Sequence, residues 1–186
     1  MTTFKLWVIR MVLPIVVLSS GTVYGDVMID DFEAGSNVDW DYLSDQVMGG
    51  VSEGSARLGR DENEAYAHMT GDVSTANNGG FIQLRTSLKS GADKNTKGVF
   101  IKVRGNNQKY YIHLRTRGTM LPWQYYQGGF DATEEWQLVR LPFEAFEASG
   151  SWLRNTPAPT SIRSIGVVAY GRDHQADIQI SEIGFY

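Results

Sequence analysis

The chain has 186 residues, 17 Lys and Arg against 21 Asp and Glu, a net charge of −4 and no cysteine. An acidic chain without a basic block lacks the phosphate-neutralising charge on which nucleic-acid binding rests, and the same balance argues against docking to an anionic membrane surface. The lack of cysteine removes disulfides, thiol nucleophiles, iron–sulfur sites and cysteine-ligated zinc.

At the amino end, Lys5 and Arg10 precede the apolar run 11–18, and small and polar residues follow through Gly25. Charge, apolar run and small-residue stretch in that order are the anatomy of a secretory signal peptide. Cleavage after Gly25 sets Val23 and Gly25 at the two small-residue positions and leaves Asp26 as the new terminus. A transmembrane helix needs about 20 mainly apolar residues, and Arg10 interrupts a run that is already short. A mitochondrial presequence is an amphipathic, Arg- and Ser-rich stripe, whereas this segment is a block. A lipid anchor needs a cysteine at the cut. The expectation is an exported protein, periplasmic or secreted, with no stable membrane span after cleavage: residues 1–25 are the signal peptide and residues 26–186 a single domain. Removing 25 of the 186 residues leaves 161, enough to bury one core. Losing Lys5 and Arg10 moves the net charge from −4 to −6.

Beyond Asp26 no stretch carries a sustained helical stripe. Turn signals recur instead, among them Asn77-Asn78-Gly79-Gly80, Gly105-Asn106-Asn107 and Gly171-Arg172-Asp173. Between them lie short segments rich in β-branched and aromatic residues, the pattern of a sandwich or barrel. The first strands, at 27–33, 51–58, 65–71 and 80–88, are loosely patterned. Later ones alternate cleanly, as half-buried strands do. Val99, Ile101 and Val103 share a face of 98–104. Ile112 and Leu114 oppose Tyr111, His113 and Arg115 in 109–116. Val139 and Leu141 share a face in 136–141, Ile165, Val167 and Ala169 in 162–170, and Ile178 and Ile180 near the carboxyl end. Residues 142–146 predict one helical turn with Phe143 and Phe146 on one side.

The most distinctive string is Ser44-Asp45-Gln46-Val47-Met48-Gly49-Gly50-Val51-Ser52. Ser44 or Asp45 suits a side-chain bond that pins a turn, Gly49-Gly50 suits positive φ or close backbone approach, and Trp40 and Met48 are placed to pack beneath. The string resembles the Ser-Asp-x-Val-Met-Gly-Gly-x-Ser signature of the complex I intermediate-associated protein 30 family. Gly79-Gly80-Phe81, Val103-Arg104-Gly105, Leu114-Arg115-Thr116, Tyr126-Gln127, the run from Trp136 to Phe146 and Ile162-Arg163-Ser164-Ile165-Gly166 are similar to that family's later patterns, in the same order. The resemblance spans about residues 28–186. It implies an all-β, antiparallel jelly-roll β-sandwich of the galactose-binding-like kind. It also implies a binding or assembly role, since the mitochondrial members assist complex I assembly and are not known as enzymes for that role.

No hydrolase elbow, phosphate loop, dinucleotide fingerprint or zinc-helix motif is present, so catalytic residues and cofactors are both expected to be none. His68, His113 and His174 lack metal-ligand spacing and read as isolated surface residues. Asp30, Asp31, Glu33 and Asp72 are the places where a calcium ion would be sought. Such an ion wants about six to eight oxygens, so a solvated strand start is the simpler reading and no metal is expected. If Ile112 and Leu114 face the core, then Tyr111, His113, Arg115 and Arg117 project together on the other side. Arg104 on a neighbouring strand would join them, with Trp123, Tyr125, Tyr126 and Gln127 on the next. Aromatic plates with Arg and Gln donors suit a sugar or a peptide; the other reading is a covered surface with arginines lying over packed aromatics. The loop Asp45–Gly50 has two readings as well, ligand cradle or tight turn. The candidate binding residues are therefore Asp45, Met48, Gly49 and Gly50 in the loop and Arg104, Arg115, Tyr126 and Gln127 on the face. The leading expectation is a non-catalytic binding domain that presents this surface to a protein partner; the alternative is a carbohydrate-binding module.

Overall fold

In the computed structural model, residues 25–61 and 64–186 are described; all but the last residue of the expected signal peptide lies outside the described residues. They form twelve strands: β1 (Val27–Asp30), β2 (Trp40–Ser44), β3 (Glu53–Arg60), β4 (Ala65–Val73), β5 (Phe81–Ser87), β6 (Gly98–Gly105), β7 (Gln108–Thr116), β8 (Tyr126–Ala132), β9 (Gln137–Pro142), β10 (Glu147–Ala148), β11 (Ile162–Tyr170) and β12 (His174–Phe185). All pairings are antiparallel. The first sheet runs β3-β4-β12-β6-β9, with β1 beside the far half of β12; the second runs β10-β8-β7-β11-β5-β2. The chain is an antiparallel β-sandwich, as the alternation and the resemblance both predict.

The inward faces are the ones the period-2 pattern marked. Val99, Ile101 and Val103, Ile112 and Leu114, Ile165, Val167 and Ala169, and Ile178 and Ile180 are all buried in one core between the sheets. Phe143 and Phe146 enter it from a 3-10 turn at Phe143–Ala145, their ring centroids 6.2 Å apart. Three strands lie outside the ranges predicted from the sequence. β2 hides inside the motif, β8 carries Gly128-Gly129, whose missing side chains erase the pattern, and β10 has two residues. β1 ends at Asp30 rather than continuing to residue 33 because Phe32 takes φ 56° and Asp30 turns back on the chain.

The two sheets are joined at one end by a single buried carboxylate. Asp45 follows β2 and is fully buried. Its Oδ1 accepts Ser52 N at 2.9 Å; its Oδ2 accepts Ser52 Oγ at 2.6 Å, Gly80 N at 2.5 Å and Phe81 N at 3.3 Å. Ser52 Oγ in turn accepts Ser74 N at 3.0 Å. Asp45 and Gly80 belong to the ends of β2 and β5 in the second sheet, while Ser52 and Ser74 flank β3 and β4 in the first. Burial alone would raise the Asp45 pKa, but the bonds from Ser52 Oγ, Gly80 N, Ser52 N and Phe81 N outweigh it and hold the carboxyl below its ordinary value. Gly50 and Gly79 are required by proximity: a Cβ on either would lie 2.3 Å from the Asp45 carboxylate. Gly49 is required by its φ of 89°.

That geometry is the tight-turn arrangement of the two readings of this loop. Asp45 has spent its carboxylate on four internal donors, and Gly49 and Gly50 serve the backbone around it. Trp40 packs as expected, against Phe32 at 5.5 Å. Met48 does not pack beneath; it is 66% exposed, beside the exposed Val47 and Val51. Asp45→Asn is expected to destabilise the fold by about 3 kcal/mol, since one amide cannot accept from donors on both sides. Gly50→Ala should cost about 2 kcal/mol. Chemical denaturation at pH 7 measures both. The Asn penalty should shrink as pH falls below about 3.9, because a carboxyl whose folded pKa is depressed loses its contribution as pH drops through that folded value.

Candidate binding face

The outward side of the second sheet is built by the residues that alternate with its core positions. Facing rows follow from the register: Gln127, His113, Gly166, Arg85 and Asp41 stand in one row across β8, β7, β11, β5 and β2. Gly129, Tyr111, Val168, Gln83 and Leu43 form the next row towards Tyr170. β11 therefore offers small or buried residues, Ser164, Gly166 and Val168, between the taller side chains of β7 and β5. These residues form the floor of a low strip along β11, here called the trough; β7 and β5 stand about 10 Å apart across it, twice the interstrand spacing, and neighbouring side chains cover the floor, Gln83 Oε1 lying 3.3 Å from where a Gly166 Cβ would stand.

An aromatic platform covers one wall. The rings of His113 and Tyr125 stack with centroids 4.1 Å apart and planes 9° apart. Tyr170 meets His113 edge-on at 5.5 Å and Tyr111 at 6.1 Å. Tyr125 OH donates to Tyr170 OH at 3.0 Å. Burial, followed by the Tyr170 hydroxyl bond and charge, pushes the Tyr125 pKa up, so its phenol stays neutral. His113 Nε2 lies 3.0 Å from Gln127 Oε1, an acceptor, and so carries the proton of a neutral ring. Burial lowers the His113 pKa to about 4 against the raising effect of Gln127.

Arg115 closes one end. Its Nη2 donates to Leu121 O at 2.8 Å, and its Nε is buried without a partner. Burial, with Arg163 and Arg85 nearby, lowers its pKa from the usual arginine value. Around that end the loops expose Met120, Leu121, Trp123 and Trp152, the last 93% exposed.

Of the residues picked from the sequence, the structure brings Arg115 and Gln127 together with Tyr111, His113 and Tyr125. It moves two elsewhere. Tyr126 is 2% exposed and points into the core, because it pairs with Leu114 and shares that residue's face. Arg104 belongs to the other sheet: β6 pairs β12 and β9, not β7. There its guanidinium lies 4.7 Å from the Trp136 ring centroid and binds Gln179 Oε1 at 2.5 Å and Asp61 Oδ2 at 3.1 Å. The histidines are not isolated surface groups either. His68 Nε2 sits 2.8 Å from Asp177 Oδ1, and His174 Nδ1 2.8 Å from Arg172 O. Asp30 is not a solvated strand start but a buried acceptor for Trp40 Nε1 at 2.7 Å and Phe32 N at 2.9 Å. Among the described residues no three His, Asp or Glu side chains converge to hold a metal ion, and no helix is long and apolar enough to cross a membrane. Residues the sequence reading missed are Tyr170, Arg85 and Gln83. Tyr170 sits at an outward position of a strand that the alternation marks, Gln83 and Arg85 on one that is loosely patterned, and only the strand order brings Tyr170 beside β7 and the other two across β11 from it.

A cleft of about 370 Å³ opens separately between the free edges of β2 and β3, lined by Trp40, Tyr42, Leu58 and Leu84 among others. The Trp40 and Asp30 polar atoms there are bonded to each other, and the buried Tyr42 hydroxyl there has no hydrogen-bond partner among the described residues.

Known proteins compare as follows. The family model for complex I intermediate-associated protein 30 matches residues 31–181. Comparison with curated protein sequences gives no match. Among solved structures, the family 11 carbohydrate-binding module of a cellulosomal cellulase of Clostridium thermocellum superposes with a TM-score of 0.69 at 16% identity, over 87% of this chain and 94% of that one. The same organism's family 11 module in complex with a β-1,3-1,4-mixed-linked tetrasaccharide gives 0.68 at 16%, over 87% and 95%. A family 30 carbohydrate-binding module gives 0.54 at 11%, over 74% and 91%. At these identities the likeness is one of fold.

Two outcomes test the placement. Tyr126→Ala should destabilise by about 3–5 kcal/mol as a core truncation, whereas Tyr125→Ala should cost only about 1 kcal/mol for the lost ring pair; thermal or chemical unfolding separates the neighbours. Stability should also fall as pH drops from about 6.5 towards 4, because the unfolded His113 binds a proton that the folded ring refuses. His113→Asn should flatten that slope by up to about 1.4 kcal/mol per pH unit.

Proposed function

The chain belongs to the complex I intermediate-associated protein 30 family, and we propose that it is a non-catalytic binding domain whose working surface is the outward face of the second sheet. The observation that carries this reading is the preassembled set on β7, β8 and β11: a stacked His113–Tyr125 pair, the Tyr170 edge, Gln127 and Arg115 in one trough. Rings already packed against one another lose little further freedom when a ligand arrives, which is what preorganisation contributes to affinity. The family description supports a protein as the partner. Export rests on the order of charge, apolar run and small residues before Asp26, and places that partner in the envelope or outside the cell.

A glycan is the second reading. It is favoured by the trough itself, where ring faces and amide and guanidinium donors suit a sugar's apolar face and hydroxyls, and by the tetrasaccharide complex of a protein of similar fold.

Affinity capture with the mature chain from the envelope or secreted fraction of its host tests the protein reading. The wild type should retain a defined protein, and a folded Tyr125→Ala, Gln127→Ala variant should lose it, each central ring being worth about 2 kcal/mol at a hot spot. Equal retention by both would remove the face from the reading.

A further inference from the structure

The trough is not uniform in charge. At the end away from Tyr170 three arginines come together around small residues. Arg115 faces Ser164, and Arg85 faces Gly166, across the two edges of β11. Arg163, the extra residue of the β11 bulge between Ile162 and Ser164, joins them. Arg163 Nη2 donates to Thr119 O at 2.8 Å. That carbonyl is held in place because Thr119 is fully buried and its Oγ1 accepts Thr116 N at 3.1 Å and donates to Thr116 O at 2.8 Å. The Leu121 carbonyl that takes Arg115 is held likewise, since Gln124 Oε1 accepts both Met120 N and Leu121 N. Two guanidinium groups are thus oriented by fixed backbone. Among the described residues no carboxylate forms an ion pair with Arg85, Arg115 or Arg163, although Asp41 faces Arg85 across β2 and β5; the ion pairs formed all lie elsewhere.

Such a cluster runs against the protein's own balance, which is net negative. Three like charges held together repel one another, and Arg115 keeps a buried Nε–H with no acceptor. Screening at physiological salt limits distant acids to a reach of about 8 Å; Asp41, opposite Arg85 on the side of β5 away from β11, is the near acid, and the three arginines outnumber it over Ser164 and Gly166. A carboxylate there would meet guanidinium donors of Arg85 and Arg163 that no carboxylate of the described residues pairs with, in the charge-assisted geometry that guanidinium groups favour.

We infer that this end of the trough is an anion subsite and that its ligand is an acidic glycan, with uronate carboxylates against Arg85, Arg115 and Arg163 and sugar rings along the Tyr125–His113 side. The inference rests on the glycan reading of the same face. It is favoured over an acidic peptide because β7, β11 and β5 are each paired on both sides. No strand edge is free in the trough to bind a peptide backbone, and recognition falls to ring faces and side-chain donors.

Calorimetry with the purified protein tests it, using a tetragalacturonate, a neutral mixed-linked glucan tetrasaccharide of the same length and a glutamate-rich hexapeptide. The acidic sugar should bind at least tenfold more tightly than the neutral one at low salt, and added sodium chloride should narrow the difference. Arg85→Gln, which removes no hydrogen bond seen in the fold, and Arg163→Gln should each weaken the acidic sugar about fivefold and leave the neutral sugar within twofold. Equal affinity for the two sugars overturns the anion subsite and keeps the glycan reading. Binding of neither sugar overturns both, and arginine-dependent binding of the peptide alone replaces the glycan with an acidic protein segment.

Discussion

The fold depends on one buried carboxylate. Asp45 gathers donors from Ser52, Gly80 and Phe81, and Ser52 passes the connection on to Ser74, so that four chain segments from both sheets meet at one side chain. A charge removed from water is costly unless every lone pair is satisfied, and here the backbone is drawn in to satisfy it. That demand explains the glycines on either side. Gly50 and Gly79 stand where a side chain would occupy the carboxylate's own space. The family's signature string is therefore an account of how the sandwich is closed at one end, and its spelling marks structure ahead of recognition.

With that end closed, the proposed binding surface falls to the middle of the second sheet and its far loops. A second cross-sheet tie helps to hold this arrangement: Tyr110, in β7, donates to Asn106 Oδ1 at 2.7 Å and accepts Asp177 N, from β12, at 2.8 Å. β7 is thereby anchored on its inward side while its outward side carries Tyr111, His113 and Arg115. The same strand serves the core and the face because successive side chains point opposite ways. Its neighbour β11 makes room by being small where β7 and β5 are large.

The two outer faces of the sandwich differ in how completely their polar groups are used. On the first sheet Arg104 is enclosed by Tyr66, Trp136, Gln179 and Asp61, and Lys102 by Glu64 and Glu182. Those charges are internally compensated and contribute to the sheet's surface. On the second sheet Arg115 and Arg163 hold backbone carbonyls, Arg85 makes no hydrogen bond among the described residues, and the rings hold one another and Gln127. Compensated charge on one side and open donors on the other is the physical contrast that separates a covered surface from one able to receive a ligand.

Much of this was legible from local pattern. Period-2 alternation determined the core faces of β6, β7, β9, β11 and β12, the turn residues marked where strands end, and the Ser44–Ser52 string with its later companions determined the family. Tertiary structure alone decided the strand order, and with it that Arg104 lies on the opposite sheet from Arg115, that Tyr170 lies beside β7 and that Arg85 faces it across β11. It also decided the inward turn of Tyr126, since the paired glycines after it leave β8 no alternation to read, and the burial of Asp45, whose Gly80 partner is 35 residues away. The reason is the range of each constraint. Side-chain alternation is a property of consecutive residues, whereas sheet order and a carboxylate's donors come from segments that meet only when the whole chain has packed.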